Sequence, residues 1–297
     1  LGQQQTRPLL RGYDEPDVNL HYEAQRHMYR TIRDIVYQEN SRIQAIVCTH
    51  SLTMIDHAPA TSINLLRLCE CGMTGVNYLD TLEDQDVEDF LVNLAAELGI
   101  TNSILFYERC YIIIEGPTEE NALPIFYHRL YGHSMIEDGI RLINIEGNGG
   151  KKGLLKLLGK NRQQLTIAFL DSDTQTNQDF ISAGFTRDQV DNYLILIGHK
   201  EFEDAFTDEA ICSCLNLVWP RIDNESWTPE HLLGIRNEPN KKFSDRLMGL
   251  IYQNSESDVS NTKPVYGQKL ASVCSLEMIP ERVIHLFNRA RDIARVG

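Results

Sequence analysis

At 297 residues the chain is long enough for two domains rather than one small one. Its 28 Lys and Arg against 42 Asp and Glu leave a net charge of -14. That balance excludes a protein that coats nucleic acid by charge alone. It does not exclude a nuclease, whose metal-holding acids count as negative in the same sum. No run of about 18 apolar residues occurs, so no membrane span is expected, and the polar opening after Leu1 does not read as a secretory signal. The cysteine number is seven, without a C-x-x-C pair, and reads as reduced thiols in a cytoplasmic protein. Cys69/Cys71 and Cys212/Cys214 lack the usual zinc spacing, so burial is their expected role.

In chain order, "YDEPDVNLHYEAQRHMYRTIRDIVYQ" begins as an acidic turn and continues as a helix with Met28, Ile32 and Ile35 apolar. "IQAIVCTHS" (residues 43–51) is a short apolar strand running into a histidine, and "SINLLRL" (residues 62–68) reads as another strand. "TLEDQDVEDFLVNLAAELGI" is an acidic connector helix that ends at Gly99. A regular alternation follows. "RCYIIIEG", "IRLINIEG", "LTIAFLDSD" and "NYLILIG" read as strands. Between them "PTEENALPIFYHRLYG", with Pro117 in its first turn, "GGKKGLLKLLGKNRQQ" and the short "TRDQVD" read as helices. Strands about 30 residues apart with helices between them predict a small parallel α/β sheet. From Asp208 the strand pattern fades, and "NKKFSDRLMGLIYQ", "PVYGQKLASVC" and "PERVIHLFNRARDIA" read as helices.

Functional groups on a parallel sheet collect at the carboxyl ends of its strands. Glu115 ends the first strand of the alternation and Glu119 lies one helical turn further on. Asp171 and Asp173 end the third strand on one face, because side chains alternate along a strand. "HKEFEDAF" after the fourth adds Glu201, Glu203 and Asp204. Carboxylates that converge raise one another's pKa, and a hard cation such as Mg²⁺ or Mn²⁺ relieves the repulsion. One or two such ions serve phosphodiester displacement. A lone D-x-D after a strand is often only a turn or a cap, but three acidic motifs, each after a predicted strand and in order, are much less expected by chance.

"IIIEGPTEE", "AFLDSD" and "KEFEDAF" together resemble the Toprim catalytic domain shared by topoisomerases, bacterial primases and the OLD (overcoming lysogenisation defect) nucleases. The resemblance implies metal-dependent phosphodiester chemistry, with Glu115, Asp171 and Asp173 as ligands and Glu119 as the second glutamate that OLD nucleases carry. The third acid is Glu201 or Glu203. Upstream, "RPLLRGYDEPDVNLH" resembles the Walker B segment and D-loop of an ABC-type ATPase, and "AIVCTHS" its switch histidine. That likeness gives Asp14 a Mg²⁺ role, Glu15 the polarisation of water, and His50 the sensing of ATP. An ATPase followed by Toprim is the OLD-family order, which implies a DNA endonuclease regulated by ATP. It also implies a homodimer or higher homo-oligomer, and an effector in antiphage defence with a partner protein or nucleoprotein. No G-x-x-x-x-G-K-[ST] loop occurs, so the chain resembles the C-terminal part of a longer protein.

The expected architecture is therefore α/β. Residues 1–70 form part of the ATPase domain, residues 71–105 a connector, residues 106–207 a Toprim core and residues 208–297 a helical region that completes the site. Lys152, Lys156 and Lys160 share one helix face and are candidates for DNA backbone contact after the glycines of "GNGG". OLD nucleases carry a catalytic lysine in the C-terminal helical region. Lys263 is the better match and Lys269 the second, either stabilising phosphate charge in the transition state. Trp219 and Trp227 read as packing anchors. The alternative functions are another Toprim enzyme, of topoisomerase or primase type, and a non-catalytic scaffold that senses DNA.

Overall fold

The computed structural model describes residues 8–68, 72–80, 85–91, 100–145, 151–171, 181–186, 193–236, 242–255 and 262–296. The chain divides into two compact units, residues 1–81 with 95–107, and residues 82–94 with 108–297.

In the first unit β1 (Leu9–Asp14), α1 (Tyr22–Tyr37) and β2 (Ile43–Cys48) form a β-α-β step. The two strands pair in parallel from Leu9 opposite Ile43 to Asp14 opposite Cys48. Of the apolar stripe expected on α1, Ile32 is buried and Met28 and Ile35 are half-buried. Ser51 caps α2 (Leu52–His57) by accepting a hydrogen bond from the Met54 N–H. Next, β3 (Asn64–Leu68) pairs antiparallel with β4 (Thr74–Tyr78), a strand that Gly75 and Asn77 conceal in the sequence. The chain then contributes α3 (Gln85–Asp89) to the second unit and returns for α4 (Asn102–Tyr107). The Asn102 side chain donates to the carbonyls of Ile55 and Ala58 at 2.8 Å each, and the Ser103 N–H to Asp56, which ties α4 to α2. The connector helix expected before Gly99 is described only around α3. There it does not span solvent: Val87 and Phe90 are fully buried and α3 packs on α6.

The second unit is built on four parallel strands in the order β6-β5-β7-β8: β5 (Cys110–Ile114), β6 (Ile140–Asn144), β7 (Thr166–Asp171) and β8 (Leu194–Ile197). All five residues of β5 are fully buried, as a central strand covered on both faces requires. Between β5 and β6 runs α5 (Pro117–Tyr131), with proline in its first turn and Gly132 at φ 82° closing it in the left-handed conformation. Leu154, Leu155 and Leu158 of α6 (Lys151–Asn161) are buried, and the helix packs on α3. The segment "TRDQVD" lies largely outside the described residues.

Beyond the sheet come α7 (Asp208–Val218), α8 (Pro229–Arg236), α9 (Phe243–Asn254), α10 (Lys263–Val273) and α11 (Glu281–Ala294). The last three match the expected helices, and α7 and α8 are additional. One apolar cluster joins the sheet, α5 and all five C-terminal helices. Trp219 and Trp227 are buried in it, and the Trp227 indole N–H donates to the Trp219 carbonyl at 2.6 Å. A polar clasp closes its flank. Asp138 accepts from the Tyr127 hydroxyl, stands 2.7 Å from His133 Nε2, and accepts from Arg291 of α11 at 3.1 Å. Cys110, Cys212, Cys214 and Cys274 are buried free thiols, while Cys69 and Cys71 lie outside the described residues. Burial pushes the Cys110 and Cys214 thiols up to about 12, so neither is a ready metal ligand. Among the described residues no helix is long and apolar enough to cross a membrane.

Candidate active site

Parallel pairing brings the carboxyl ends of β5, β7 and β8 to one side of the sheet, with Ile113 opposite Ala168 and Asp171 opposite Ile197. Glu115 directly follows β5. The chain turns at Gly116 into α5, and Glu119 curls back over that turn. A Cβ at position 116 would stand 2.6 Å from Glu119 Oε2, so glycine leaves room for the Glu119 carboxylate in this position. Asp171 is the last residue of β7. After β8, Gly198 adopts φ 70° and opens a tight loop. The Asp204 carboxylate holds it by accepting the N–H groups of His199 (2.5 Å), Lys200 (2.8 Å) and Glu201 (3.2 Å).

That loop sends its two glutamates in different directions. Glu203 turns to α5, where the Thr118 hydroxyl donates to its Oε1 at 2.7 Å. Glu201 turns to α9 and accepts the Ser244 N–H at 2.6 Å and the Ser244 hydroxyl at 2.7 Å. Both glutamates are almost fully buried. The Lys263 ammonium lies 3.7 Å from Glu201 Oε2 and 3.6 Å from Asp245 Oδ1. Lys263 opens α10, the helix end where a cation is disfavoured by the dipole, so the acids around it hold it there. Lys269, on the same helix, lies instead within electrostatic reach of the Cys214 thiol.

The electrostatics follow from this crowding. Burial pushes the Glu119 carboxyl up to about 8, assisted by the negative charges of Asp171, Glu203 and Glu115. Glu203 is raised chiefly by burial. The Thr118 hydrogen bond opposes that, Glu201 adds to it, and Lys263 lowers it. Three carboxylates from the strand ends thus add to the burial that raises Glu119, and Glu203 is raised beside it. An all-oxygen donor set under such strain suits a hard divalent cation. Among the described residues no three of these groups already enclose a common point as ligands would, and Asp173 lies outside them.

The other candidates divide. Lys152 and Lys160 are exposed on α6, whereas Lys156 between them is ion-paired to Asp86 of α3 at 2.5 Å. The glycines of "GNGG" lie outside the described residues. In the first unit the parallel register carries Glu15 to His50, whose Nδ1 is 2.9 Å from the carboxylate. This pairing raises the His50 pKa. Asp14 ends β1, Glu15 sits at φ 44°, and the buried Asp17 accepts from Thr49 at 2.5 Å. Thr118 and Ser244 are not among the residues the sequence pattern singles out, and Asp204, counted there with the acids, instead holds the loop. Thr118 sits inside the first acidic motif, which is the signal that could have found it. Ser244 meets Glu201 across 43 positions, and no local pattern announces it.

Residues 2–55 match the AAA ATPase domain family, and residues 106–173 match the Toprim domain of overcoming lysogenization defect protein-like proteins. The Old nuclease of Escherichia phage P2 is 25% identical over 142 residues, 46% of this chain and 23% of that protein. The chain therefore spans under a quarter of the length of this relative. Among solved structures, the C-terminal region of the Burkholderia pseudomallei OLD protein is similar at 18% identity and a TM-score of 0.43. That match covers 64% of this chain and 100% of the other. The C-terminal region of the Xanthomonas campestris pv. campestris OLD protein is similar at 18% identity and a TM-score of 0.46, covering 65% and 97%. In this order, then, the chain carries one segment similar to an AAA ATPase domain and one similar to the Toprim domain of overcoming lysogenization defect protein-like proteins, with the Old nuclease as a relative.

Proposed function

We propose that the second unit is the cutting part of a divalent-metal-dependent DNA endonuclease whose activity its ATPase domain regulates. The observation that carries this reading is the meeting of Glu115, Glu119, Asp171 and Glu203 at the strand ends, three of them inside the segment that matches the Toprim family. Glu115, Glu119, Asp171 and Asp173 would hold Mg²⁺ or Mn²⁺, with Glu203 as the third acidic element. Glu201, committed to Ser244 and Lys263, would position the lysine. A bound ion supplies charge neutralisation and an activated water for phosphodiester displacement. The chain's own share is to bring the phosphate beside Lys263, whose charge offsets what develops on the phosphate oxygens. Asp14, Glu15 and His50 would serve ATP in the first unit, and self-association through that domain fits the same reading, as does a role in antiphage defence.

Plasmid cleavage with Mg²⁺ or Mn²⁺ tests it. Wild type should nick or cut, and Glu115→Ala and Asp171→Ala should each lower the rate by about a hundredfold or more. Undiminished cutting by both variants would overturn the assignment.

A further inference from the structure

α5 and α10 meet at a point where a helix would ordinarily carry a side chain. Gly267 of α10 is buried against Thr118 of α5. A Cβ at 267 would stand 2.6 Å from Thr118 Cγ2 and 2.8 Å from the Thr118 carbonyl oxygen. Carbon does not tolerate either distance, and the second atom is backbone, so it cannot rotate aside. Glycine is a poor helix former, yet here it sets how closely the two helices approach.

Both partners in this contact lead to the acids. On α10, Lys263 lies four residues before Gly267, one turn away on the same helix face. The face that seats against Thr118 is thus the face that delivers the ammonium to Glu201 at 3.7 Å. On α5, the Thr118 hydroxyl donates to Glu203, and Glu119 is the next residue. One buried contact therefore holds a lysine from the C-terminal helices in register with acids from the sheet.

We propose that Thr118 and Gly267 form a positioning joint for the active site, a proposal that rests on the nuclease reading above. Thr118 orients Glu203, and Gly267 lets α10 come close enough to place Lys263. Neither touches the phosphate, and both act through the residues they hold.

Thr118→Val keeps the branched shape and removes only the hydroxyl, and Thr118→Ser keeps the hydroxyl. Each variant of this chain is measured by Mg²⁺ titration calorimetry, plasmid cleavage and thermal unfolding. For Thr118→Val, Mg²⁺ affinity and kcat should each fall about ten- to a hundredfold, as losses of supporting hydrogen bonds around ligands do. KM for DNA and the unfolding midpoint should stay near wild type, and Thr118→Ser should restore both losses. Gly267→Ala should lower kcat in the same range, and if it does not fold, Thr118→Val decides alone. Mg²⁺ affinity and kcat unchanged in Thr118→Val, or losses that serine does not restore, overturn the joint while leaving the nuclease reading intact. A wild-type chain that binds Mg²⁺ without cutting leaves the affinity comparison to decide. One that does neither overturns both readings together.

Discussion

Glu119 is an acid on the first turn of a helix, a position that normally favours its ionised form. Burial and three neighbouring carboxylates reverse that preference and push it up to about 8 from 4.5. Its folded pKa lies above the unfolded one, so the folded state holds a proton that the unfolded state releases. In metal-free protein its contribution to stability therefore declines as pH rises from about 4.5 towards 8. Thermal midpoints measured with a chelator across that window should fall, and Glu119→Gln should flatten the decline. Mg²⁺ should offset it, with proton release visible in calorimetry run in two buffers of different ionisation enthalpy. Lys263 and Lys269 offer a sharper contrast within one helix. Lys263→Met should lower the cleavage rate by about a hundredfold, whereas Lys269→Met should stay within about threefold of wild type. Equal losses in both would show that the distance to Glu201 is not what distinguishes them. The sequence left this pair, and the pair Glu201 and Glu203, open for one reason. Side chains two or six residues apart look alike in a motif, and only the turn held by Asp204 and the start of α10 send them to different partners.

At the scale of elements, legibility follows how local the causes are. β5 and β7 are continuous apolar runs buried on both faces, and a central parallel strand leaves no other pattern. α10 and α11 carry proline at their starts, which marks them plainly. β4 escaped notice because its stability comes from pairing with β3, not from its own residues. The burial expected of Cys212 and Cys214 holds, and with Ala210, Ile211 and Leu215 they belong to the buried residues of α7, a helix the sequence pattern had not marked. The Asp138 clasp is a case where elements distant in sequence depend on one group. Burial alone would raise this acid, but the Tyr127 hydroxyl, His133 and Arg291 outweigh it and hold it below the usual range. A depressed carboxyl contributes stability above its unfolded pKa and loses it as pH falls through the folded value. Asp138→Asn should therefore cost about 2 kcal/mol in urea unfolding near pH 7, with the difference from wild type narrowing below about pH 4. A constant difference down to pH 3 would contradict the ionic part of the clasp.

For the whole molecule the proposed function raises the question of how a chain of net charge -14 would meet a polyanion. Lys152 and Lys160 are exposed, whereas Lys156 is half-buried, ion-paired to Asp86, and ties α3 to α6. Charge reversal at 152 and 160 should raise KM for DNA, leave kcat near wild type, and reduce the salt dependence of binding by about one unit of slope per lysine. Lys156→Ala should instead lower the unfolding midpoint and leave the salt slope alone. An unchanged slope in the 152 and 160 variants would move the DNA-binding surface elsewhere.

The buried indole pair has a practical consequence. The chain has two tryptophans in all, and Trp219 and Trp227 both belong to the helical core of the second unit. Selectively excited tryptophan emission therefore reports on that unit alone, whereas far-ultraviolet dichroism sums over both. Denaturant curves followed by the two signals should superimpose if the units melt as one, and separate if the smaller unit opens first. Ordinary spectroscopy can thus follow the stability of the second unit without a label.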